Sequence, residues 1–343
     1  MASQFTLYTS SDYGSPGPLL CTGAGGLLNI FNQCLVSGYS GHAAAGWTKL
    51  GSVGRVINDS SNVGIFKQGA GCGYYLYLND NAPDGGGGAV NKGAYARGYK
   101  TMTALTPTGW GTFPTDLQVA TETGGTANYG IVKGIDTNTA RPWQLYADSS
   151  TFYFFMFDGN GGYGSYMFGD IYSLWGSSDL NRCAICLAGG DRGAGALPNL
   201  AYGCLDRQLT PLVTTAADMY GFYMSDSYAG TVGSTVGYPV GDPSKYNGVM
   251  AAGTPLPLIG SIPFPNPADS SYHISPIWVL DYNWNIRGRL RGLWYPCHPL
   301  VNFSDGASIS GTNDLSPKTF NVICPGWGNG VFLMETSNTV ETN

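Results

Sequence analysis

The clearest periodic signal lies at 26–36, GLLNIFNQCLV, where Leu27, Leu28, Phe31, Cys34 and Leu35 recur at three- and four-residue steps. Asn29, Asn32 and Gln33 take the opposite side, and Gly38 follows. That spacing predicts one short amphipathic helix with a glycine stop. Beyond it the rhythm changes to short apolar or alternating runs at 73–79, 143–147, 151–157, 166–174, 182–188, 277–281, 286–294, 320–324 and 330–335. Clusters of Gly, Asn, Asp and Pro separate them, which is the punctuation of antiparallel strands. The expected fold class is mainly β: an antiparallel β-sandwich or barrel-like core with long Gly-rich loops and one short N-terminal helix.

Two stretches, 82–98 (APDGGGGAVNKGAYARG) and 189–199, read as loops by composition. A third, 230–260, is rich in Gly, Ser, Thr and Pro. It reads either as an excursion used in assembly contacts or as a plain surface loop. No repeat of fixed period emerges. Residues 1–343 are expected to form one large β-rich unit; a division into 1–140, with the helix at 26–36, and 141–343 is the alternative.

Composition changes the question from fold to solubility. Aromatic residues make up 13% of the chain and charged ones only 11%, with 52 Gly. Soluble domains usually carry roughly a quarter charged residues, so this chain must be solvated by neutral polar groups or bury much of its surface against partners. The net charge of −6 argues against a nucleic-acid groove, which needs a basic field. Glu occurs only at 122, 335 and 341, and the preference for Asp points to turns rather than helices. The N-terminus MASQFTLYTSSDYGSPG has neither the basic start nor the apolar run of a signal peptide. The apolar run at 152–157 is too short to span a bilayer. Neither nucleic acid nor membrane is an expected partner.

Catalytic signatures are scarce. There is no Gly-Lys dipeptide for a phosphate-binding loop and no G-x-S-x-G elbow. Cys183 and Cys186 form a lone C-x-x-C, but on a strand residues three apart point to opposite faces. Buried free thiols are expected there rather than a zinc or redox site. His42, His273 and His298 show no ligand pairing, and the adjacent Cys297 and His298 would point apart on extended chain. Asp158, Asp170 and Asp179 surround the aromatic run at 151–175, which raises glycan hydrolysis as one reading. The competing reading places them in turns and strand ends. The DGNGG turn lacks the spaced acidic ligands of a calcium loop. No catalytic residue, cofactor or metal ligand is assigned.

The candidate contacts are therefore of another kind. Arg287, Arg289 and Arg291 alternate with Gly and Leu, so on a strand the three guanidiniums share one face. They form either a patch for an acidic neighbour in an assembly or a solvated strand face. Trp47, Trp110 and Trp327, each beside Gly, are candidate assembly contacts, whereas 152–175 is expected to be core.

Several segments carry a family resemblance. SSDYGSPGPLLCTGAGGLLNIFNQCLVSGYSGHAAAGWTKL resembles the N-terminal region of a group of tailed-bacteriophage virion proteins. RPWQLYADSSTFYFF, YMFGDIYSL, IPFPNPAD, NIRGRLRGLWYPCHP, KTFNVI and GVFLMETS are further matches, extending over nearly the whole chain. The chain departs from the pattern in its additional cysteines and in the 230–260 insert. The resemblance implies a non-enzymatic structural protein of the tail, neck or baseplate, made in the host cytoplasm and resident in the virion. It also implies a homo-oligomer with other virion proteins as neighbours. A capsid decoration or cement protein, and a host-glycan adhesin or depolymerase, are the alternative readings.

Overall fold

The computed structural model describes residues 5–20, 25–50, 62–80, 92–102, 109–114, 130–134, 140–157, 164–187, 205, 222–226, 235–236, 238–240, 272–280, 286–296, 303–324 and 331–337. Each run read as a strand from the sequence carries one. The described strands build three larger sheets, all of antiparallel pairs. The central sheet runs in the order Thr6–Thr9, Trp143–Ala147, Thr151–Met156, Ser165–Asp170, Cys183–Cys186, Phe222–Met224 and Thr235–Val236. The C-terminal sheet runs Tyr238–Val240, Ile274–Leu280, Ile286–Pro296, Phe332–Glu335, Thr319–Ile323 and Ser308–Ser310. The N-terminal sheet runs Thr48–Lys49, Val63–Lys67, Tyr75–Asn79, Lys92–Met102 and Gly109–Phe113, and Gly130–Gly134 also pairs with Lys92–Met102. Among the described strands no sheet closes on itself, so the sandwich form of the expectation holds rather than the barrel.

Side-chain alternation on the central strands explains how these sheets stack. Phe152, Phe154 and Met156 enter one core, with the helix and with Phe66, Leu76 and Phe113 of the N-terminal sheet. Tyr153 and Phe155 enter a second core, with Ile277, Leu293, Ile323 and Phe332 of the C-terminal sheet. The central sheet is therefore covered on both faces. This is why TFYFFM is continuously apolar instead of alternating. Aromatic contacts knit both cores, including Phe31 against Phe154 at 5.5 Å and Phe155 against Phe332 at 5.7 Å. The core extends only to Ile171. Leu174 and Trp175, expected within it, are 61% and 41% exposed, because the chain leaves the stacked layers after Ser173.

The predicted helix forms as an α-helix over Gly26–Phe31 that continues as a π-helix over Asn32–Ser37. Its apolar stripe, Leu27, Leu28, Ile30, Phe31, Cys34 and Leu35, closes the first core. Gly25 provides no side-chain cap. Instead Asp80, at the end of the Tyr75–Asn79 strand, accepts the amides of Leu27 at 2.8 Å and Leu28 at 3.3 Å. Its other oxygen accepts from Lys133 Nζ at 2.6 Å. A carboxylate from elsewhere in the chain thus satisfies the orphan donors of the first turn.

Two loop expectations need revision. Within 82–98, residues from Lys92 onward belong to the eleven-residue strand Lys92–Met102. Its inward positions are Ala94, Ala96 and Gly98, so the alternation is real but made by small residues. Gly98 is required, since a Cβ there would collide with the Phe113 ring. Within 230–260, Thr235–Val236 and Tyr238–Val240 are strands; the rest of that segment, and 189–199, lie outside the described residues.

Candidate functional site

The polar groups converge where the chain changes sheets. Ser165–Asp170 ends in the central sheet, and after Ile171 the pair Tyr172–Ser173 joins the C-terminal sheet, with Tyr172 opposite Arg289 and Ser173 opposite Gly288. A 3-10 turn over Gly176–Ser178 then carries the chain back to Cys183–Cys186 in the central sheet. Gly288 permits the crossing, because a Cβ there would collide with the Tyr172 carbonyl oxygen. This accounts for the glycine between two arginines in the IRGRLRG run.

Three ion pairs pin the crossing. Arg291 Nη2 meets Asp148 Oδ2 at 2.7 Å and Nη1 reaches Oδ1 at 3.2 Å, with Thr151 Oγ1 at 3.1 Å and Ser150 Oγ as further acceptors. Burial is the largest influence and works against the Arg291 charge, but Asp148 and Tyr172 together outweigh it and hold the guanidinium pKa above its ordinary value. Asp148 itself shapes the DSS turn, accepting the amides of Ser150 at 2.7 Å and Thr151 at 2.9 Å. Arg182 Nε meets Asp170 Oδ2 at 2.8 Å, and Gln68 Nε2 donates to Asp170 Oδ1 at 2.9 Å. Arg287 Nη2 meets Asp179 Oδ2 at 3.0 Å, and Ser173 Oγ donates to the same oxygen at 2.7 Å. Asp179 Oδ1 accepts the Asn181 amide at 2.9 Å, closing an Asx turn.

Between these pairs opens a cleft of about 320 Å³, lined by Ser150, Asp170, Tyr172, Ser177, Arg182 and Arg291 among others. Its donors are rigid. Arg182 is clamped by Asp170 and by the carbonyls of Ser177 at 3.0 Å and Asp179 at 2.7 Å, and Arg291 lies over the rings of Tyr172 and Phe5. The nearby Cys72 thiol is pushed up to about 12, mainly by burial and then by Asp170, so it stays protonated at neutral pH. The chemistry offered is fixed hydrogen bonding between paired charges. Among the described residues no group of three or more His, Cys, Asp or Glu could hold a metal ion.

The candidate contacts fare differently. Arg287 and Arg291 are 1% and 9% exposed, and their acidic neighbours lie in their own chain, which corrects the expectation of a patch or a solvated face at these two positions. The shared side is real, for Arg287 lies over Trp175 and Arg289 over Tyr172, the ring also beneath Arg291. Arg289 is half-buried. Trp47 is corrected too: it is 3% exposed, packs on Phe152 and Phe168, and donates Nε1–H to the Asp148 carbonyl at 2.6 Å. Trp110 lies on the Gly109–Phe113 strand, with its side chain outside the described set, and Trp327 lies outside it altogether.

Of the three aspartates considered for glycan hydrolysis, Asp170 and Asp179 are each held by a guanidinium, and Asp158 lies outside the described residues. Asp170 closes the Ser165–Asp170 strand. Cys183 and Cys186 are free and buried in different cores, as their spacing predicts. His42 sits 3.4 Å from Asp12, His273 is exposed, and Cys297 and His298 lie outside the described residues. Sequence reasoning missed Asp148, Gln68 and Arg182. The DSS turn between two apolar runs was the visible signal for Asp148, whereas Gln68 carries none. A search against protein-family models and a search of curated proteins each return no match.

Proposed function

We propose that this chain is a non-enzymatic structural subunit of a tailed-phage virion, placed in the tail, neck or baseplate and working as a homo-oligomer among other virion proteins. The observation that carries the reading is where the charge goes. In a chain with only 11% charged residues, Arg287, Arg291, Lys133, Asp80, Asp148 and Asp179 are all buried as internal ties between elements. Among the described residues these charges are spent inside the fold, which suits a subunit whose surface is covered by neighbours. Apolar side chains exposed on and beside the crossing loop, Leu174, Trp175, Leu180 and Ile286, provide surface of that kind. The resemblance of its segments to phage virion proteins supplies the setting.

The test is direct. Particles assembled with an epitope-tagged copy should carry the tag at a fixed symmetric position in cryo-EM maps, and the purified chain should sediment as a closed multimer. A monomer absent from purified particles would refute the reading. Density on the head lattice instead of the tail would select the decoration or cement alternative.

A further inference from the structure

The cleft at the sheet crossing has more recognition chemistry than its structural role uses. Arg182 spends Nε and Nη1 on Asp170 and two carbonyls, while its Nη2 makes no hydrogen bond among the described residues. The Ser177 hydroxyl on the same wall is also without a hydrogen bond among them, although Ser177 contributes its carbonyl to Arg182. The Arg182 guanidinium is held in place before any ligand arrives, which lowers the entropic cost of binding. We propose that the cleft holds a single sugar residue bearing a carboxylate, of the uronic-acid type. The carboxylate lies on Arg182 Nη2 and the Ser177 hydroxyl, and the ring hydroxyls face Ser150 and Arg291.

Size and charge select this class. A volume of about 320 Å³ is at the small end of ligand sites and suits one ring. A phosphate dianion would need surplus positive charge, but the guanidiniums of Arg182 and Arg291 are offset by Asp170 and Asp148, and Asp170 itself lines the wall. A divalent cation would be repelled by both guanidiniums, and an apolar ligand would leave these donors unsatisfied. One carboxylate matches donors that carry hydrogen bonds without a large net field. The inference is independent of virion placement, since it concerns the isolated chain.

The experiment is a titration of the purified full chain with glucuronate, glucose and acetate, followed by calorimetry and by saturation-transfer NMR. Glucuronate should bind saturably and at least about tenfold more tightly than either other probe, the increment of one charge-assisted hydrogen bond plus ring contacts. Two variants localise it. Ser177→Phe puts bulk at the cleft from an exposed loop position, and Arg182→Lys keeps a cation beside Asp170 but removes the second terminal donor. Each should weaken glucuronate at least about tenfold; if one does not fold, the other gives the answer. Absence of saturable binding by the folded wild-type chain up to about 20 mM overturns the proposal. So does equal binding of glucose or acetate, or glucuronate binding that a folded variant retains unchanged.

Discussion

Arg291 and Asp148, 143 residues apart, join the C-terminal sheet to a turn of the central sheet through contacts of 2.7 and 3.2 Å. The carboxylate is 2% exposed and the guanidinium 10%. The same carboxylate orders the DSS turn, and the Arg291 carbonyl accepts the Tyr153 hydroxyl at 2.9 Å. One pair therefore fixes the spacing of two layers and the geometry of a turn.

Arg291→Met should destabilise the fold by about 3–5 kcal/mol, because it leaves the Asp148 charge buried without its guanidinium. Adding Asp148→Asn should recover part of that loss, since the amide keeps an acceptor for the Ser150 and Thr151 amides. Urea unfolding of the two singles and the double measures the coupling. Strict additivity would show that the pair does not act as a unit.

The fold was legible because its strands announce themselves as short apolar or alternating runs between turn residues. Phe152 to Met156 and Cys183 to Cys186 read correctly even though their faces enter different cores. What the sequence concealed was partnership. Arg287, Arg289 and Arg291 alternate as a surface stripe would, and nothing local reveals that Asp179 and Asp148 wait inside. Trp47 was misread for the same reason: its Gly-rich flank suggests exposure, while its partners Phe152 and Phe168 are more than a hundred residues away. The strand at 92–102 was hidden because Ala and Gly occupy its inward positions.

Burial of Trp47 separates stability from assembly. Trp47→Phe should lower stability by about 1–3 kcal/mol, because the Asp148 carbonyl loses the indole donor and the smaller ring leaves space beside Phe168. The sedimentation coefficient of the folded variant should match wild type. A variant that melts normally but sediments as a smaller species would restore Trp47 as an assembly contact.

The thiols should divide by accessibility. Cys34, Cys183 and Cys186 are free and wholly buried, whereas Cys72 and Cys324 are partly accessible. Burial, with Asp170 and Cys72 adding to it, holds the Cys183 thiol well above its ordinary pKa. Brief alkylation of native protein followed by peptide mapping should therefore leave Cys34, Cys183 and Cys186 unmodified until denaturant is added. Rapid native labelling of Cys183 and Cys186 would contradict the two-core packing.

Acid should loosen the N-terminal corner through Asp12. Burial alone would raise its pKa, but the Tyr39 hydroxyl at 2.6 Å, the Thr9 amide at 2.7 Å and the Thr9 hydroxyl at 2.8 Å, with His42 nearby, bring it below 3.8. A folded value below the unfolded one gives stability that is fully present above the unfolded value and is lost as pH falls through the folded one. Melting temperatures of wild type and Asp12→Asn, followed from about pH 6 to about pH 2, should differ at the upper end and converge at the lower. A constant gap would exclude this linkage.

Asp80 has the opposite sign, and that decides how its variants rank. Burial raises its pKa above 3.8 in spite of Lys133 and the helix amides. Its contribution is thus greatest at low pH and declines as pH rises through the folded value. Lys133→Met leaves a carboxyl that can take up a proton and still face the Leu27 and Leu28 amides, so the loss should be about 1–3 kcal/mol at neutral pH. It should also shrink on acidification. Asp80→Ala removes the cap and leaves the Lys133 ammonium buried without this carboxylate, and should cost about 3–5 kcal/mol. Denaturant unfolding at two pH values tests both the order and the sign. A Lys133→Met deficit that grows on acidification would show that the raised Asp80 pKa is not what tempers that substitution.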